Sequence, residues 1–93
     1  SQEAIGAYQA SLEVRTREAT PLDWARVHQN MGIALLALAR REESKERADE
    51  AIESFRRALE EFTRERVPDE WVNTQTNLAA AMREREESLA AFQ

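Results

Sequence analysis

The chain repeats itself. Shifted by forty-seven residues, it lies over its own sequence without a gap. Ala4 and Ile5 fall on Ala51 and Ile52, Tyr8 on Phe55, and Leu12 on Leu59. The tripeptide "TRE" at Thr16 falls on "TRE" at Thr63, Pro21 on Pro68, Trp24 on Trp71, Asn30 on Asn77 and Ala34 on Ala81. Matches that mix apolar, aromatic and polar positions over such a span point to a duplicated unit. Periods of about 20–50 residues mark stacked helical units, each burying its apolar face against the next.

Each unit divides at its proline. Ahead of it run Ile5, Tyr8 and Leu12, matched by Ile52, Phe55, Leu59 and Phe62. Behind it run Trp24, Val27, Met31, Leu35 and Leu38, matched by Trp71, Thr74, Leu78 and Met82. Steps of three and four place each series on one side of a helix. Proline suits the first helical position, where its missing N–H would be unpaired anyway, and it drives the preceding residue out of helix. Helices are therefore expected over about 2–18, 21–41, 46–66 and 68–90. Thr20 is the expected N-cap of the second, with Asp23 placed to meet its first-turn N–H groups and dipole. Ser44 is a candidate N-cap for the third. The charged stretch "RREESKERADE" reads as a hydrated connection or as the solvated extension of a helix, and its Glu43–Arg47 spacing suits an attractive pair.

Composition narrows the function. Glycine and proline number 2 each, which fits helices with short joints. A formal net charge of −5 argues against a nucleic-acid partner. The longest uncharged apolar stretch, "MGIALLALA" from Met31 to Ala39, is far below the roughly 20 residues that span a bilayer, so no membrane partner is expected. No signal peptide is visible at the start. There is no cysteine, which suits a reducing compartment and favours a cytoplasmic location. His28 is the single histidine and has no ligand-type neighbours at helical spacing, so it reads as a packing residue. The acidic residues alternate with basic ones and read as a hydrated surface. No phosphate loop or nucleophile elbow occurs, and no enzyme, metal or cofactor is expected.

Two segments carry a resemblance. At "QNMGIAL", Gln29 to Leu35, and "AIESFRRAL", Ala51 to Leu59, the chain resembles a tetratricopeptide repeat. His28, Met31-Gly32 and Leu35 match the first-helix motif. Ala51, Phe55 and Ala58 match the second, and Pro68 stands at the usual helix-breaking proline. The family repeat is about 34 residues. The longer unit here is most similar to long-repeat bacterial members and to the repeats of kinesin light chains. The resemblance implies one all-α domain over 1–93, a right-handed solenoid of antiparallel hairpins with about four helices. Residues 1–18 would be a second-type helix, 21–66 a complete hairpin and 68–90 a first-type helix.

The resemblance also implies a protein or peptide partner held on a concave face lined by first helices. Arg26, Gln29, Asn30 and Ile33, then Asn73, Thr76, Asn77 and Arg83, would line it, with Leu36 and Ala80 beside them. Asn30 and Asn77 are the strongest candidates, since an amide both donates and accepts. Either they grip a bound chain, or they bond to a neighbouring helix and hold the stack. Trp24 and Trp71 are expected to anchor the joints, and Gly32 to admit a closely packed helix. The alternative function is a self-assembling segment of a longer repeat array. Ile5, Tyr8 and Leu12 at one end and Leu89 and Phe92 at the other suggest end-on self-association, with exchange of whole helices between chains as one route.

Overall fold

In the computed structural model, residues 2–91 are described, and they form α1 Gln2–Val14, α2 Pro21–Glu42, α3 Lys45–Glu61 and α4 Pro68–Ala90. Phe92, read as part of an apolar end, lies outside the described residues. Both prolines open their helices at the first turn. The residues ahead of them adopt nearly the same backbone, with φ −140° and ψ 73° at Thr20 and φ −143° and ψ 74° at Val67.

The expected ends of α1 and α3 need correction. Both helices stop four or five residues early, and both stop in the same way. The Ala19 N–H donates to Thr16 Oγ1 at 3.3 Å and the Thr20 N–H to the Thr16 carbonyl at 2.9 Å. In the second copy the Arg66 N–H donates to Thr63 Oγ1 at 3.2 Å and the Val67 N–H to the Thr63 carbonyl at 3.0 Å. A threonine hydroxyl offers the backbone a local partner that competes with the helical ladder. It makes a separate turn of "TREAT" and "TRERV". Thr20 is correctly placed as the N-cap residue, but its side chain does not cap. Its hydroxyl turns back to the Thr16 carbonyl, and the Trp24 N–H is met by the Thr20 carbonyl instead.

The charged joint is shorter than a hydrated loop. Glu43 ends α2 in the left-handed conformation, φ 50° and ψ 47°, and the Ser44 N–H reaches the Ala39 carbonyl at 3.0 Å. That six-to-one bond closes a Schellman cap. Ser44 then caps α3, accepting from the Arg47 N–H at 3.1 Å. Arg47 pairs with Glu50 at 3.2 Å and Glu42 at 3.8 Å rather than with Glu43, because the left-handed turn takes Glu43 off the helix.

Helix α2 is the centre of the molecule and meets all three others. Its Ala25, Leu35, Leu36, Leu38 and Ala39 are buried. Alanines facing it from α3 (Ala48, Ala51 and Ala58) have no exposed surface, so the two helices pack closely. The bulk comes from Phe55 and Phe62, the largest fully buried side chains with Thr74. Leu36, read as a groove position, is core instead, since it turns into the main apolar cluster. The result is a compact all-α bundle with a radius of gyration of 13.3 Å, flattened to 44 × 29 × 15 Å.

Candidate functional site

The residues singled out in the sequence fall on two helices. Arg26, Asn30 and Ile33 are spaced by four and three on α2, and Asn73, Asn77 and Ala80 repeat that spacing on α4. Arg26, Ile33 and Asn73 are exposed, while Asn30 and Asn77 are half-buried. Neither asparagine amide is bonded to another described residue. The expected alternative, a bond to the neighbouring helix, is made by Gln29. Its Nε2 donates to Thr74 Oγ1 at 2.8 Å, joining α2 to α4 across a partly buried contact. Arg26 lies with its guanidinium 6.0 Å from the Phe62 ring centre.

Thr76 and Arg83 occupy the outer edge of α4. They are the repeat counterparts of Gln29 and Leu36, which α2 turns toward α4, but both are exposed. The Thr76 hydroxyl donates back to the Val72 carbonyl at 3.0 Å. The structure therefore brings Arg26, Asn30 and Ile33 into one strip and sets Asn73 and Asn77 in the matching strip. Gln29 joins the two helices, and Thr76 and Arg83 lie outside.

The tryptophans sit where the repeat places them. Each is half-buried and carries the arginine of its own joint, Arg17 at 5.1 Å from Trp24 and Arg64 at 6.0 Å from Trp71. Arg17 also bonds Glu61 and Glu60, both at 2.7 Å, and so ties the first joint to the end of α3. Glu61 is held below the usual carboxylate range by its bonds from Arg17 and Arg66. Asp49, bonded by Lys45 and by Arg85 of α4, is lowered for the same reason.

A feature the sequence did not reveal is a shallow groove between α1 and α3, floored by Ile5, Met31 and Leu35 and rimmed by Glu53 and Arg57. His28 contributes to its floor. The residue is 6% exposed, its ring lies edge-on to Trp24 at 4.5 Å, and its buried Nδ1 has no hydrogen-bond partner among the described residues. Among the described residues, no three His, Asp or Glu side chains are placed to hold a metal ion, and no helix is long and apolar enough to cross a membrane.

His28 makes stability depend on pH. Burial pushes its pKa below 6.5, and the Arg57 charge adds to that shift. A folded pKa below the unfolded one means that the neutral ring is favoured in the native state. Its contribution is fully present above about pH 6.5 and is lost as pH falls through the folded value. Thermal melting should therefore weaken between about pH 7.5 and 5.5, where Asp49 and Glu61 remain ionised. His28→Gln, which has no charge to gain, should flatten that slope. An unchanged slope in the variant would exclude His28 as its source.

Comparison with protein-family models, curated proteins and solved structures finds no match to this chain. Its likeness to the tetratricopeptide pattern therefore stands on the motifs quoted above.

Proposed function

We propose that the chain is a non-enzymatic protein-interaction segment whose four helices are layers of a tetratricopeptide-like right-handed solenoid, and that it binds an extended or helical peptide along the α2–α4 strips. Asn30 and Asn77 carry this reading. They are related by the repeat and half-buried in otherwise regular helix, and their amides bond to no other described residue. An asparagine weakens a helix slightly relative to alanine or leucine, and a half-buried amide without a partner loses hydration as well. Two such positions in register favour a role that needs the amide. Arg26, Ile33 and Asn73 beside them supply charge, apolar surface and a further amide.

The experiment is selection of peptides from a random display library on the immobilised chain. Peptides that bind should lose about 10–100-fold in affinity when Asn30→Ala and Asn77→Ala are combined, as expected for two hydrogen bonds of about 0.5–1.5 kcal/mol each. Thermal stability should hold or rise slightly, because alanine is the better helix former. Undiminished binding, or loss of folding in the double variant, would remove the asparagines from the proposed site.

A further inference from the structure

The duplication leaves two uncovered faces that are counterparts of covered ones. Helix α2 buries Ala25, Gly32, Leu35 and Ala39, with Gly32 against Phe55 of α3, Ala25 clustered with Ala58 and Leu35 with Ala51, and their counterparts on α4 are Val72, Ala79, Met82 and Glu86. Ala25 is 0% exposed and Leu35 3%, whereas Val72 is 52% and Met82 45% exposed. The same register positions are thus a closed helix contact in one copy and open surface in the other. The helix that repeats α3 is α1, through Ile5, Tyr8 and Leu12. Its Ala7 is exposed where the counterpart on α3, Ser54, is buried.

We propose that α1 of a second copy docks on α4 as α3 docks on α2, joining chains head to tail. A charge relation supports this independently of the apolar match. Arg17, in the joint ahead of α2, pairs with Glu60 of α3 and also with Glu61, whose counterpart Val14 carries no charge. Shifting the Arg17–Glu60 pair by one repeat replaces Arg17 with Arg64, and replaces Glu60 with Glu13 of the second copy. Arg64 and Glu13 make no ion pair with any described residue. The operation that continues the stack thus brings together two charges of opposite sign that have no ion-pair partner among the described residues. The fit is looser than inside the chain. Ala79 carries a Cβ where Gly32 has none, so the Tyr8 ring must sit further out than Phe55 does, and Glu86 replaces Ala39. The contact is accordingly weak. It uses different surfaces on its two sides, so each added copy leaves one face free for the next and assembly does not stop at a dimer.

Sedimentation equilibrium of the full chain from about 10 µM to 1 mM tests this, a range that spans weak association. The average mass should climb continuously from 10.7 kDa past that of a dimer. Ala79→Arg on α4 and Ala7→Arg on α1 each replace an exposed residue, and each alone should abolish the climb while leaving the helical content unchanged. Mixed in equal amounts, the two variants retain one good face each and should form dimers and stop there. Glu13→Arg or Arg64→Glu alone should weaken association about threefold, as for an exposed ion pair, and the double swap should restore it. If Ala7→Arg disrupts the short α1, the charge swap still decides. A constant monomer mass at 1 mM, association that survives Ala79→Arg, a mixture that stays monomeric, or a swap without restoration would each overturn the proposal.

Discussion

Phe55→Ala is expected to lower stability by about 3–5 kcal/mol, enough to move the melting temperature by roughly 15–25 °C in a domain of this size. The total stability of such a chain is of order 5–14 kcal/mol, so one ring carries a large share of it. The reason lies in what surrounds the ring. Phe55 is 0% exposed and rests on Gly32. Its neighbours along α3 on the same side are Ala51 and Ala58, which cannot swing into the space it leaves. A cavity that cannot collapse is penalised beyond the lost transfer energy. The repeat supplies the control. Tyr8 holds the same position in the other copy, but it is only half-buried, and Tyr8→Ala should lose less than half as much. Thermal melts of the two variants, followed by circular dichroism, check both. Equal losses, or a loss under about 1 kcal/mol at Phe55, would contradict the packing described here.

Most of the architecture could be read from the chain because three signals agree. The duplication, the prolines and the three-and-four spacing all place helices in the same register, and the first turns at Pro21 and Pro68 follow from proline geometry alone. The early ends of α1 and α3 could not be read from periodicity, because Thr16-Arg17-Glu18 and Thr63-Arg64-Glu65 continue a plausible helical surface. The signal was the shared threonine, whose hydroxyl bonds forward to the backbone in both copies. Leu36 was misplaced because an interior helix with neighbours on three sides has little free surface, and a spacing argument cannot count neighbours. For the same reason Met82 falls in the apolar stripe by its match to Leu35, yet it and Val72 are exposed. Their exposure depends on which helices surround α4, and no local pattern encodes that. Asn30 and Asn77 stand out as polar residues within helices, but whether their amides are bonded depends on α2 and α4 together. There Gln29, not either asparagine, takes the available hydroxyl of Thr74.

Gly32 and Ala79 share one repeat position and should respond oppositely to the same substitution. A Cβ at Gly32 would stand 2.6, 2.8 and 2.9 Å from three carbons of the Phe55 ring, closer than real contacts allow. Alanine there gains about 1 kcal/mol of helix propensity but forces the ring aside within a close-packed contact, where overpacking costs about 1–3 kcal/mol. Leucine adds three more carbons to the clash. Gly32→Leu should therefore destabilise by about 3 kcal/mol or more, by separating α2 from α3. Ala79 is exposed, so the same side chain can turn to solvent there, and Ala79→Leu should change stability by less than about 0.5 kcal/mol. Melts at a few micromolar keep self-association out of the comparison. A cycle with Phe55→Ala then identifies the cause. If the ring is what Gly32 accommodates, its removal makes room for the leucine, which partly refills the cavity. The double variant should be more stable than the sum of the two losses predicts, by over about 1 kcal/mol. Additive losses would mean that Gly32 is required for a reason other than the approach of the ring.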